Sequence, residues 1–342
     1  MHMADALLSP AVGLTMTAVS VAVIGISVIK VKKDDIGEKK APIMGVAGAM
    51  VFAAQMINFA IPATGSSGHI GGGILLAGLL GGIPAFLSIT AVLIIQCLFF
   101  ADGGLLALGA NIFNLGVAPC IVIYPLLFKP LLKGGADYKR LTIASIVSAV
   151  IGLELGAFLV VVQTLLSGIT QLPFGTFVAF MMPIHLVIGL IEGIITAAIL
   201  CFVYKMRPEI IELSQSGKSL GGVSTKKAVV TFIVLIIVIV GALLPFASGN
   251  PDGLEWAIDK TTEKTLGVQA ELNAESGVHN SAERIQESTA FLPDYGFAVD
   301  TGNTTGTTVS GIAGAVITFA IAGSVGLIIS VIKKSKRVKA NA

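Results

Sequence analysis

Eight long apolar runs govern what this chain can become: residues 11–29, 43–61, 73–100, 105–128, 141–166, 177–204, 228–246 and 309–332. A backbone inside lipid must satisfy its own N–H and C=O groups, so an apolar run of about 20 residues reads as a membrane-spanning helix. Apolar residues fill 54% of the 342 positions and charged residues 12%, too few polar side chains to clothe a soluble globule. Cys97, Cys120 and Cys201 all fall inside apolar runs and read as small packing hydrophobes rather than disulfides or a zinc site.

Orientation follows from the basic residues, 19 of 22 of which lie in four clusters at 30–40, 129–140, 205–227 and 333–339. Such clusters stay on the cytoplasmic side. The first helix then begins outside and the second returns residues 62–72, with His69, to the outside. Met1, His2 and His69 therefore share one membrane face. The run 73–100 starts outside and must be followed by an inward helix, so it crosses an even number of times. A break near Gly81, Gly82 and Pro84 provides this, as two short helices or a re-entrant hairpin. The expected fold is all-α and integral to the membrane, with about nine transmembrane helices, the N-terminus outside and the C-terminus cytoplasmic. The first run has no basic residues before it and ends in Lys-Val-Lys-Lys, which reads as an uncleaved helix.

The start of the chain carries transition-metal chemistry. A free amine and the next amide nitrogen close one chelate ring on a cation, and the His2 imidazole closes a second. One in-plane position remains, and His69 is the candidate for it. Nitrogen ligands in a tetragonal array suit nickel(II) or copper(II), whereas magnesium and calcium take oxygens. Glycines 65, 68, 71, 72 and 73 let the His69 loop bend close to a small ligand. Thr64, Ser66 and Ser67 are placed to orient the free nitrogen of that histidine; the bland alternative is a Gly/Ser loop whose histidine faces water.

Other polar residues stand inside apolar runs, where ionisable groups are costly. His185 and Glu192 sit seven residues apart on one helix, a polar stripe aimed into the bundle. They read either as a hydrogen-bonded structural pair or as second-shell or ion-path groups, and Glu154 has the same two readings. Asp102, Asn111 and Asn114 read as groups that fix the outer rim and helix packing, with Gln55, Asn58 and Gln96 weaker candidates. Ala144, Ser148, Gly152 and Gly156 form a flat face, for the bundle interior or for a partner subunit.

From about residue 208 the character changes. A Gly/Ser/Lys linker leads to the run at 228–246, a polar stretch at 247–308 and the last run. The polar stretch holds ten acidic residues against three basic ones and so attracts divalent cations. His279 within it reads as a solvated loop residue. Pro251 and Asp252 begin a short amphipathic helix with Leu254 and Trp256, lying on the membrane surface or capping the metal site. Gly-Lys-Ser at 217–219 is no phosphate loop, because Glu212 stands where glycine is required. No nucleophile–base arrangement appears, so the chain reads as a non-enzyme without an ATPase site.

Four ordered segments, MHMADALLSP at 1–10, IPATGSSGHIGGG at 61–73, ADGGLLALGANIFN at 101–114 and HLVIGLIEGIIT at 185–196, resemble the cobalt and nickel substrate-capture component of energy-coupling-factor transporters, the CbiM/NikM family. PDGLEWAIDK at 251–260 and FLPDYGF at 291–297 resemble its small two-helix partner, whose signature here is Pro251, Asp252, Gly253, Leu254 and Glu255. The resemblance implies a seven-helix capture domain at 1–207, a cytoplasmic linker at 208–227 and a fused two-helix accessory module at 228–342. It implies Co(II) or Ni(II) as the cargo, held by the Met1 amine, the amide and ring nitrogens of His2, and His69. A transmembrane coupling subunit and cytoplasmic ATPases would be the partners, in lipid and without nucleic acid. Met3-Ala4-Asp5 and the 63–67 loop depart from the usual family pattern without removing a nitrogen. The alternatives are a self-sufficient divalent cation channel or secondary transporter using Glu154, Glu192 and the broken run 73–100, and a receptor whose acidic outer stretch does the binding.

Overall fold

Apart from Phe59–Ile61, the apolar runs are mainly helical among the described residues of the computed structural model, which are 1–33, 40–216, 225–238, 247–267, 276–296 and 306–321, with residues 241 and 324. In chain order these are α1 (Pro10–Lys33), α2 (Lys40–Gln55), strands β1 (Phe59–Ile61) and β2 (Ser66–Gly68), and α3 (Gly73–Leu80). Next come α4 (Gly82–Phe100), α5 (Leu108–Leu131), α6 (Tyr138–Ser167), α7 (Phe174–Met206) and α8 (Pro208–Ser216). The accessory portion adds α9 (Thr225–Val238), α10 (Gly253–Leu266), α11 (Gly277–Thr289) and α12 (Gly306–Ile321). Five of these, α1, α4, α5, α6 and α7, are long and apolar enough to cross a membrane, and shorter apolar helices lie at Pro42–Gln55, Ala228–Val238 and Gly306–Ile321. The chain is a multi-pass membrane protein. The linker motif at 217–219 and the basic tail at 333–339 lie outside the described residues.

Outward faces of α1 and α7 show why these helices need lipid. Leu14, Val21 and Ile26 on the first, and Leu186, Leu190 and Ile194 on the second, are exposed large apolar side chains with no protein to cover them. The opposite faces pack inward. α6 and α7 run against each other over most of their length, with Gly189 and Gly193 set against the α6 backbone at Val150 and Ile146. The small-residue face of Ala144, Ser148, Gly152 and Gly156 is buried. Gly156 meets the Asn114 carbonyl and the Met1 side chain, so this face serves the bundle interior.

The run 73–100 breaks as its glycines predict. Gly81 takes φ +81°, open to glycine and strained for other residues, and separates eight-residue α3 from nineteen-residue α4. At the break, the Ser214 hydroxyl of α8 donates to the Gly78 carbonyl at 2.6 Å. The other end of α4 delivers Asp102 to the amino terminus. The pair therefore leaves the amino-terminal end of the bundle and returns to it, although α3 alone rises only about 12 Å. The outer loop also contains a two-stranded antiparallel hairpin, β1 with β2, closed by a turn with Ala63 and Gly65 at positive φ. Apart from this hairpin the described elements are helical.

Candidate metal centre

The amino terminus is tucked into the bundle by its own apolar side chains. Met1, Met3, Leu7 and Leu8 are buried, on either side of a 3₁₀ turn at Asp5–Leu7. Fully burying such side chains is worth about 1.5–3 kcal/mol each. Polar contacts fix the register. The Met3 amide donates to Asn111 Oδ1 at 2.8 Å and the Asn111 amide returns a bond to the Met3 carbonyl at 3.2 Å. The Gly104 amide donates to the Met3 carbonyl at 2.9 Å, and the Ala107 amide to Asp5 Oδ1 at 2.9 Å. Glycine is required at 104, because a Cβ there would collide with the Asp5 carboxylate and backbone. Asn111 thus holds the strand that carries the candidate chelating atoms.

That seating brings the predicted ligands together. The Met1 amine lies 3.1 Å from His69 Nε2, and the His2 and His69 rings stack with centroids 5.3 Å apart and planes within 9°. His69 Nδ1 is 3.1 Å from the Ile70 carbonyl, so Nδ1 carries the proton and Nε2 presents its lone pair toward the amine. Burial, then the neighbouring amine, holds the His69 imidazole below its ordinary pKa and keeps that lone pair free. His2 Nδ1 sits 3.1 Å from Asp102 Oδ1, while His2 Nε2 is buried without a partner. Asp102 also accepts from the Tyr295 hydroxyl. Burial raises the Asp102 pKa, but His2 and Tyr295 outweigh it and hold the carboxyl below its usual range.

The accessory segment comes down on the same atoms. Asp252 Oδ2 forms an ion pair with the Met1 amine and lies 3.8 Å from His69 Nε2. Its other oxygen, Oδ1, accepts from the Leu254 and Glu255 amides at 2.8 and 2.9 Å, and Glu255 bonds back to the Asp252 amide at 3.1 Å. This is a capping box, and it explains why α10 starts where Asp and Glu stand three residues apart. Burial opposes ionisation of Asp252, but the amine and His69 more than compensate and hold its pKa well below the ordinary value. The helix expected from Pro251 and Asp252 therefore forms, and it caps the centre rather than lying apart on a membrane surface.

Two serine assignments require correction. Ser66 and Ser67 do not orient the free nitrogen of His69; that nitrogen faces the Ile70 carbonyl. The Ser67 amide donates to the Pro251 carbonyl at 2.8 Å and its hydroxyl to the Asn250 carbonyl at 2.8 Å, with the Ser66 hydroxyl 3.4 Å from Pro251 O. The extended conformation of β2 turns these polar groups toward the accessory loop. Trp256 Nε1 adds a bond to the Thr64 carbonyl at 2.9 Å. His279 is also corrected: it is 7% exposed, not solvated. Its Nε2 reaches the Leu8 carbonyl at 2.9 Å and the Asp5 carbonyl at 3.2 Å, which ties α11 to the amino-terminal turn. Gln286 donates to the Gly103 carbonyl at 2.6 Å from the same helix. Ser276 N-caps α11; nothing in local sequence pattern revealed the distant acceptors.

Outside the centre lies a cavity of about 570 Å³, lined in part by His2, Asp5, Asp102, Asp252, Glu255 and Glu283. Its carboxylates attract cations to the mouth. Inside, His185 and Glu192 are both buried. Glu192 accepts from the Gly71 and Gly72 amides at 2.9 and 3.0 Å, and Gln55 donates to the Gly71 carbonyl at 2.9 Å while accepting from Gln96 at 3.0 Å. The segment just after His69 is thereby pinned by polar groups from three helices. Asn114 pairs with Gln163 at 2.8 and 2.9 Å. Among the described residues no three His, Cys, Asp or Glu side chains converge to hold a metal by themselves.

Residues 2–210 match the profile of CbiM, the cobalt uptake substrate-specific transmembrane region. The chain belongs to the CbiM family. Residues 226–331 match the PDGLE domain, which places the accessory motif of this CbiM chain in a second recognised unit. A protein of Archaeoglobus fulgidus bearing the fused nickel transporter name NikMN is 34% identical over 216 residues, 62% of this chain and 68% of that one. The cobalt transport protein CbiM of Sorangium cellulosum is 32% identical over 180 residues, 51% of this chain and 77% of its own. A crystal structure titled as a transition metal transporter superposes with a TM-score of 0.53 at 30% identity, over 60% of this CbiM chain and 93% of the other.

Proposed function

We propose that this chain is the metal-capturing membrane subunit of an importer for Co(II) or Ni(II), driven by a separate transmembrane coupling subunit and cytoplasmic ATPases. The observation that carries the reading is the Met1 amine 3.1 Å from His69 Nε2 with the His2 ring stacked alongside. A cation entering through the acidic cavity is taken by the amine, the amide and ring nitrogens of His2, and His69. The Met1 ammonium and the His2 amide each release a proton to water in the acidic cavity, and the Asp252 carboxylate gives up the amine. The His2 ring, its proton moved from Nδ1 to Nε2, leaves Asp102 to take the metal through Nδ1. Tetragonal nitrogen coordination suits a late first-row metal and discriminates against magnesium and calcium. The amino terminus and the acidic mouth face outside, the C-terminus the cytoplasm, and residues 1–207 form the capture unit, with the accessory module at 228–342 acting as its cover.

Metal analysis of purified protein, supplied with one ion at a time, tests the reading. One equivalent of cobalt or nickel should remain with the wild type, be lost from His69→Ala and be held more weakly by His2→Gln. Glutamine is preferred to alanine at position 2 because a small second residue invites removal of Met1. Undiminished retention by either variant overturns the ligand assignment. Uptake by vesicles that contain this chain and no ATPase would instead favour the self-sufficient transporter.

A further inference from the structure

His185 is the buried group that capture does not use. It is 1% exposed on α7, and its Nδ1 lies 2.8 Å from the Met181 carbonyl. A carbonyl only accepts, so Nδ1 carries the proton and Nε2 is left with a lone pair. That Nε2 is buried and has no hydrogen-bond partner. Buried polar atoms are otherwise satisfied in the great majority of cases, and a neutral imidazole nitrogen held in this way is ready to ligate.

The ring borders a void of about 10 Å³, whose lining includes Met1, His69, His185 and Asp252. That is roughly the space of one water-sized particle. A second void of about 10 Å³ shares Met1 and Gly71 with the first and is lined further in by Asn114 and Glu192. The two form consecutive steps from the metal centre into the bundle. Resting on the capture reading above, we propose that His185 Nε2 is a second-stage metal ligand, which takes the cation from the His2 chelate into the inner void while Met1, His69 and Asp252 still face it.

The chemistry of the exchange is a change of donor set. The outer position offers four nitrogens in a plane, two of them from the chelating His2. The inner position offers the amine, two imidazoles and one carboxylate oxygen, without the His2 rings that make the outer grip tight. Four mixed donors around a small void suit tetrahedral coordination rather than tetragonal. Loss of the chelate weakens the hold, and Glu192, bonded to both amides that follow His69, stands next on the inward side.

Cobalt(II) is the probe, because tetrahedral cobalt absorbs visible light far more strongly than five- or six-coordinate cobalt. The full chain is purified as wild type, His2→Gln and the double variant His2→Gln/His185→Asn. Asparagine retains an amide donor for the Met181 carbonyl but no imidazole nitrogen. His2→Gln should bind cobalt more weakly than the wild type and show the intense tetrahedral spectrum, and the double variant should lose that spectrum and about another tenfold in affinity. Equal affinity and identical spectra for the single and double variants, both folded by thermal melting, overturn the proposal and leave a water-filled void. The capture reading fails by a different result, namely wild-type retention of cobalt that survives His69→Ala.

Discussion

The amino-terminal strand and the turn that opens α10 meet at one amine, yet they are held in opposite ways. Met1, Met3, Leu7 and Leu8 are buried side chains sunk into the bundle. The 250–256 segment rests on the hairpin through hydrogen bonds, from Ser67 to Asn250 and Pro251 and from Trp256 to Thr64, with Asp252 ion-paired to the amine and Leu254 as its one fully buried apolar side chain. Apolar burial of several side chains outweighs a few net hydrogen bonds of about 1 kcal/mol each. With four buried apolar side chains against one, the strand is the more firmly held wall of the centre and the accessory turn the more readily detached.

That contrast breaks first at the firmly held wall. Inserting two serines before Met1 displaces the amine from His69, leaves every side chain present and places His2 too far from the new amine for the same chelate, and retained metal should fall by roughly a hundredfold. Isothermal titration with nickel checks it; near-wild-type affinity would remove the amine from the ligand set. His279→Ala leaves the Leu8 carbonyl without its buried partner, at a cost of about 1–3 kcal/mol. The thermal unfolding midpoint should therefore fall by about 2 °C or more.

Acid sharpens the comparison at the detachable side. Asp252 is held below its ordinary carboxylate range when docked, so docking is favoured above pH 3.8, the free value, and weakens as pH falls from there toward the docked pKa. The fluorescence of Trp256, docked on Thr64, should stay level from pH 7 to about pH 5 and then shift toward pH 3. In Asp252→Asn, which retains the helix cap but not the charge, docking should start about tenfold weaker, the equivalent of roughly 1.4 kcal/mol, and lack the acid step contributed by that carboxyl. A wild-type acid step in the variant would show that other carboxylates hold the turn. Trp256→Phe removes one hydrogen bond to Thr64 and should cost about 1 kcal/mol, roughly fivefold in docking, with metal affinity unchanged.

Much of this could be read from particular residues. The position of Gly81 between two apolar stretches marks the break that separates α3 from α4, and Asp252 with Glu255 marks the start of α10, because both are local rules of backbone conformation and capping. His2 and His69 were legible as partners through chelate chemistry and shared membrane face. Ser66, Ser67 and His279 were not, since their acceptors lie 183, 185 and more than 270 residues away and no local pattern encodes such pairs.

Hydropathy sufficed to specify a helical membrane protein, and residue chemistry sufficed to single out His2 and His69 as a candidate pair, because both depend on residue type. Only tertiary structure decided that Asp252 would sit on the amine, that Asp102 would hold the His2 ring, and that His185 would keep an unpaired nitrogen facing the centre. Those outcomes follow from how rigid helices pack and which polar atoms are left over, a global balance that no single segment contains.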